Sequence, residues 1–178
     1  ITAFNATNNP ALTCIQVSDE AFMNTNFGTI FNKDAIASYS TCCSGIVNIP
    51  DANFKAALVA NDLIDTNFDD EIQCGEASAY TSTIDVGNQN ITDLTGIEAF
   101  INIVGLNFYD NNVTSVDISA NSQLNFLGCS NNQLSVLDVS NNPILNSIIC
   151  ENNNLTTLDV TSNPFLSTLN VRNNNITT

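Results

Sequence analysis

The segments "LNFLGCSNNQL" (124–134), "LNSIICENNNL" (145–155) and "LSTLNVRNNNI" (166–176) start at Leu124, Leu145 and Leu166, at one constant spacing. They share the pattern L-x-x-L-x-[C/V]-x-x-N-x-[L/I]. "IVGLNFYDNNV" (103–113) precedes them at the same spacing, and "TSTIDVGNQNI" (81–91) is a degenerate first copy that begins slightly earlier than that spacing requires. A repeat this short cannot bury its own apolar face, so recurrence in phase implies coils stacked on one another. The apolar positions of each copy point inward, and its alternating stretch makes one short parallel strand per coil. Asn111, Asn132, Asn153 and Asn174 recur at one position and form a stacked asparagine ladder. Their amides satisfy backbone groups where the coil turns away from the sheet, groups that burial would otherwise leave unpaired. Cys129 and Cys150 stand where Phe108 and Val171 stand in other copies. They read as buried thiols serving as small apolar residues.

This pattern resembles the leucine-rich repeat family, with the 21/22-residue spacing of internalin-like proteins, and "LTGIEAF" (94–100) adds to that likeness. The resemblance implies an α/β repeat solenoid. One short parallel strand per coil, a mostly irregular convex side and small capping segments are expected.

The N-terminus carries the same phase. "ITAFNATNNPALTCIQV" (1–17) aligns without a gap to "LTTLDVTSNPFLSTLNV" (155–171), so the chain opens within a coil. The closing "ITT" and the opening "ITA" stand at the same point of the coil. That match suggests a tandem unit of about 175 residues within a longer or processed chain. Residues 13–43 lose the period and read as a terminal cap, which an open stack needs to cover its last apolar rung. The segment from C-I-Q-V-x-D to the Cys42–Cys43 doublet resembles the C-terminal cap of leucine-rich repeat proteins exported by Bacteroidota. That resemblance implies a disulfide from Cys14 to either Cys42 or Cys43. The remaining cysteine of the doublet either meets Cys74 or stays free.

"IPDANFKAALVANDLI" (49–64) has helical period: Pro50 suits the first turn, Asp51 is a favourable early acid, and Phe54, Ala57, Leu58 and Leu63 can share a face. With the acidic loop after it, this segment resembles the N-terminal cap of the same surface proteins. The expected organisation is 1–45, last coil and C-terminal cap of a preceding block; 46–83, helical N-terminal cap; and 84–178, a repeat stack that continues.

Charge narrows the partners. Only Lys33, Lys55 and Arg172 oppose 18 acids, for a net charge of −15. Such a surface repels nucleic acid and anionic lipid and attracts divalent cations. No run of residues is long and apolar enough to suggest a membrane span. The acidic loop "DTNFDDEIQCGE" (65–76) has the ligand spacing of an EF-hand-like calcium loop. Asp65, Asn67, Asp69, Glu71 (through its carbonyl), Gln73 (through water) and Glu76 (both oxygens) are the expected ligands, with Ile72 as the apolar eighth residue. Asp70 replaces the usual glycine where the backbone needs a positive φ, which costs stability. No cation lies nearby in sequence to relieve these acids, so calcium, acting as a structural staple, is the expected cofactor.

Asp117, Asp138 and Asp159 recur one per coil and form an acidic column whose members should raise one another's pKa. The sheet face carries Tyr109, Asp110, Phe126, Ile149, Glu151 and Arg172, the candidate contact surface for a protein or glycan. The N-x-T sequons arise from the repeat itself. With no histidine and no nucleophile beside a base, catalysis is not expected. The chain reads as a segment of an extracellular, cell-surface bacterial protein. It serves adhesion or forms a calcium-stabilised tandem fibre with neighbouring copies, or it is a single binding module using its concave sheet face.

Overall fold

A computed structural model describes residues 5–6, 14–16, 32–33, 38–40 and 45–177. The chain divides into two compact units, 1–46 and 47–178.

In the first unit, β1 (Asn5–Ala6) pairs in parallel with β3 (Asn32–Lys33), and β2 (Cys14–Gln16) with β4 (Ser38–Ser40). β2 lies where the alignment of residues 1–17 with 155–171 requires a repeat strand. Cys42 and Cys43 lie outside the described residues, as does most of the 13–43 cap. The pairing of Cys14 therefore stays an expectation.

The second unit begins with α1 (Ala52–Val59). Asp51 is its N-cap, its carboxylate accepting from the backbone N–H of Asn53 and Phe54 at 2.9 and 3.0 Å. Pro50 thus precedes the cap and is not in the first turn. Phe54 and Leu58 are buried as the period requires, but Leu63 is 73% exposed, because the helix stops at Val59 and a turn carries Leu63 off the apolar face. After the acidic loop comes α2 (Cys74–Ala79), then β5 (Thr83–Asp85) and a short 3-10 turn, Ile97–Ala99.

From β5 onward the coils stack. β6 (Gly105–Asn107), β7 (Phe126–Gly128), β8 (Ser147–Ile149) and β9 (Thr168–Asn170) follow β5 in one five-stranded parallel sheet in sequence order. The register never slips: Ile84, Leu106, Leu127, Ile148 and Leu169 lie side by side. The first four of these are buried to within 1%. Because strand side chains alternate, that one row fixes which residues face the core and which face outward. The convex side holds turns and irregular backbone.

Asparagine supplies the polar half of the stack. Asn132 accepts the Val113 N–H at 3.0 Å and donates to the carbonyls of Phe108, Cys129 and Ser130. Asn153 repeats this arrangement one coil on. The predicted ladder thus bonds both to the preceding coil and within its own turn.

Two further asparagine columns escaped the sequence reading. Asn121, Asn142 and Asn163 are buried, and each donates to two carbonyls of the coil before it, with their Oδ1 atoms left without a partner. Asn131, Asn152 and Asn173 adopt positive φ near 55° and form an exposed amide chain. In it Asn173 donates to Asn152, Asn152 to Asn131, and Asn131 to the Asp110 carboxylate. Asparagine tolerates this left-handed backbone better than most residues, which explains its use at these three turns, Asp110 holding the one before them at 52°.

Candidate functional site

The acidic loop closes on its own donors. Asp65 is 2% exposed; its Oδ1 accepts from the N–H of Phe68 (2.8 Å) and Asp69 (3.3 Å), and its Oδ2 from that of Asp70 (3.1 Å). This holds Phe68 and Asp70 at φ of 59° and 60°. The positive φ expected at Asp70 is present; that at Phe68 was not anticipated. Asp69 receives N–H bonds from the Gln73 amide (3.0 and 3.1 Å), the Asn67 amide (3.1 Å) and the Glu71 backbone (3.0 Å). Gln73 first, then those other donors, hold its carboxyl below the ordinary 3.8.

Glu76 spends both oxygens within the chain. Oε1 accepts from the backbone N–H and hydroxyl of Thr66, and Oε2 caps α2 through the Gln73 N–H at 3.0 Å. Burial alone would raise the Glu76 pKa, but these bonds outweigh it and lower the value. A cation does reach the loop: Lys55, from α1, lies 2.6 Å from Glu71. Sequence distance hid this pair, since the two residues stand well apart in the chain and meet only when the helix folds back.

These contacts bear on calcium. Both carboxylate oxygens of Asp65, of Asp69 and of Glu76 already accept a hydrogen bond from the chain. Among the described residues, no group of three or more His, Cys, Asp and Glu is placed to hold a metal ion. As they stand, the side chains fit a self-bonded loop and do not form an ion cage. A calcium ion would require Asn67 and Gln73 to turn their amides away from Asp69, and Glu76 to leave Thr66.

One residue couples this cap to the stack. The Asp51 Oδ2 accepts from the Thr92 N–H (2.8 Å), the Thr92 hydroxyl (2.8 Å) and the Asp93 N–H (3.2 Å), while its Oδ1 caps α1. Burial acts to raise its pKa, yet the bonds from Thr92, Phe54 and Asp93 together bring it below 3.8. Beside it, the Asn53 amide reaches the Asn90 carbonyl at 3.1 Å.

The outward face of the sheet assembles most of the candidate contact residues. The register puts Tyr109, Glu151 and Arg172 in one column with Gly87 and Ser130, Ile149 in a second with Gly128, and Phe126 in a third. Tyr109 is 39% exposed and lies over Gly87, where a Cβ would fall inside its ring. A Cβ on Gly128 would come 2.3 Å from the Asn107 amide oxygen and 3.1 Å from the edge of the Phe126 ring, so this second glycine makes room first for Asn107. Asp85 and Glu151 rim the face through bonds with Asn107 (3.1 Å) and Asn170 (3.0 Å). Asp110 departs from the predicted group. Its φ of 52° turns it into the exposed amide chain at the end of the sheet.

Two other expectations change or gain detail. Asp138 and Asp159 titrate below 3.8, not above it. Asp138 is stabilised by the Ser140 backbone and hydroxyl, which outweigh repulsion from Asp159; Thr161 serves Asp159 in the same way. The local turn bond, at 2.9 Å for Asp138, is simply shorter than the step between coils. Cys129 and Cys150 are free and buried on successive rungs. Contact with Cys150, and then burial, push the Cys129 thiol well above its ordinary value.

Solved structures share this architecture. The functional domain of InlJ from Listeria monocytogenes, which includes a cysteine ladder, is 39% identical over 70% of this chain, with a TM-score of 0.62. The fold is a leucine-rich repeat solenoid. An internalin from the same organism, InlF, is 20% identical over 73% of the chain with a TM-score of 0.56, and supports the fold alone. The chain spans 27% of the InlJ structure and 45% of the InlF structure. No family model and no curated protein matches it. Among the described residues no helix is long and apolar enough to cross a membrane.

Proposed function

We propose that this chain is an adhesive segment of an extracellular bacterial surface protein, and that its outward sheet face engages a protein partner. The observation that carries this reading is Tyr109 laid over Gly87, on the same outward face as Phe126 and rimmed by acids. Glycine at that position gives the Tyr109 ring a shallow seat, so it offers apolar area at little further cost in side-chain entropy on binding. The acidic rim and the net charge of −15 favour a partner that is basic around an apolar centre. The likeness to internalins supports a surface interaction module.

The test is binding of the purified chain to immobilised surface proteins, with Tyr109→Ala and Phe126→Ala as variants. Loss of binding by tenfold or more, at an unchanged melting temperature, is the expected result (about 1.4 kcal/mol or more). Equal binding by wild type and the double variant would remove the sheet face from the reading.

A second reading, that the chain is one unit of a tandem array, is supported by the phase of β2. That strand occupies in the first unit the repeat position that β9 occupies in the second. Calcium enters as a measurable addition to either reading: the ligand spacing supports it, and the self-bonded loop weighs against it.

A further inference from the structure

The outward face of the sheet is lowest around β7. The coil before it presents Asn107 and Tyr109 there, and the coil after it Ile149 and Glu151. In those same two columns the β7 coil offers only Gly128 and Ser130. The register continues past the strand ends, since Asp110 donates its N–H to the Ser130 carbonyl and Asn131 to the Glu151 carbonyl, at 3.0 and 2.9 Å. Neighbouring strands stand about 4.8 Å apart, so the backbones of Tyr109 and Glu151 flank Ser130 at about 10 Å from each other. The Tyr109 ring leans away from this gap, over Gly87. Ser130 floors a narrow notch, 8% exposed and with its hydroxyl spent on the Ile149 carbonyl at 3.4 Å.

The polar atoms at the rim of the notch are acceptors without donors. The Asn107 amide nitrogen donates to Asp85 at 3.1 Å, which leaves its oxygen lying over Gly128 with no donor among the described residues. Glu151 Oε2 accepts from the Asn170 amide at 3.0 Å, and Oε1 accepts nothing among the described residues. Arg172 adjoins Glu151 in the column, since Asn152 donates its N–H to the Arg172 carbonyl at 2.9 Å, yet Glu151 forms no ion pair among the described residues. The notch therefore lacks both hydrogen-bond donors and positive charge.

We propose that this notch takes an arginine side chain of the protein partner. The proposal rests on the sheet-face reading above and names the group that the face receives. A guanidinium is planar and always charged, and its several N–H donors can serve Glu151 Oε1 and the Asn107 oxygen together. The ammonium of lysine is a compact point charge and lacks that flat fork. The guanidinium face also stacks on aromatic rings, and the notch has two beside it. Tyr109 stands on one side, 39% exposed, and the edge of the Phe126 ring lies 3.1 Å from where a Cβ on Gly128 would stand. The net charge of −15 draws a cationic segment towards the face before contact.

The experiment titrates the whole chain with a blocked leucine–arginine–leucine peptide, and with the same peptide carrying lysine or citrulline at its centre. Backbone amide resonances of Gly128 and Ser130 should shift and saturate with the arginine peptide. Citrulline keeps the shape and loses the charge, and should bind about tenfold more weakly. Lysine should fall between the two. Glu151→Gln keeps an oxygen for the Asn170 amide, so it should leave the melting temperature unchanged yet weaken the arginine peptide about fivefold. Resonances that stay fixed at Gly128 and Ser130 would overturn the proposal. So would citrulline or lysine binding as tightly as arginine, or a Glu151→Gln variant that binds as the wild type does. The broader reading fails separately: a protein partner lost with Tyr109→Ala and Phe126→Ala but kept with Glu151→Gln would retain the sheet face and remove the arginine notch.

Discussion

The acidic cap and the repeat stack solve the same problem, satisfying backbone groups that no strand or helix pairs, in opposite ways. In the stack each polar task is repeated, so that Asn132 and Asn153 do in consecutive coils what Asn111 does before them. In the cap each task is done once: Asp65 alone serves three N–H groups, and Asp51 alone ties α1 to the first coil. Repetition spreads load over neighbours, whereas the cap concentrates it in single carboxylates. The cap should therefore respond to pH through Asp51, Asp69 and Glu76, while the stack responds through Asp138 and Asp159 and, beyond that, to position along the solenoid.

The comparison can be broken most directly inside the stack. Asn132→Ala strands the buried Val113 N–H and three carbonyls, and should cost about 3–5 kcal/mol in urea unfolding. The same change at the half-exposed Asn174 should cost about 1 kcal/mol, since water can replace the lost bonds there. Equal costs at the two positions would mean that burial does not set the strength of the ladder.

Next in size is the cap. Asp65→Ala should cost about 2–4 kcal/mol, because two left-handed residues lose the carboxylate that holds them. Asp51→Ala should cost about 1–2 kcal/mol and separate the melting of α1 from that of the stack by circular dichroism.

Acid should reach the cap through the same groups. Asp51, Asp69 and Glu76 all titrate below their ordinary values, so the folded state binds fewer protons than the unfolded one at mildly acid pH. Their contribution is complete above the ordinary values of 4.5 for Glu and 3.8 for Asp, and is lost as pH falls below them through the lowered folded values. Stability measured by urea at a series of pH values should hold above that range and decline beneath it. A decline that starts near neutrality would point to other groups.

The smallest expected effect concerns the cation. Added to EDTA-treated protein, calcium should raise the melting temperature by no more than about 2 °C, since an ion must first displace bonds the loop already makes. A rise of about 10 °C would show that Asn67, Gln73 and Glu76 rearrange around it, and would restore the EF-hand-like ligand set as the loop's working form.

How far the sequence can be read follows from what repeats. The coil spacing, the inward row of Leu106, Leu127 and Ile148, and the Asn111–Asn174 ladder were legible because each is stated several times at fixed intervals. The Asn121, Asn142 and Asn163 column recurs just as regularly and could have been found in the same alignment, from the N-P or N-S step that opens each coil's second half. The Lys55–Glu71 pair could not, because it depends on the direction in which one helix packs. The exposure of Leu63 follows from where α1 ends, which a smooth apolar period does not mark.

By itself the sequence determined a stacked solenoid with one strand per coil, and which residues face its core, since a fixed period leaves only one way to bury every rung. Tertiary structure decided the rest: that the oxygens of the acidic loop are met by backbone and amide donors, that Tyr109 lies over Gly87, and that Lys55 reaches Glu71. Each of these depends on which atoms fill the space around a side chain, and spacing along the chain does not contain that information.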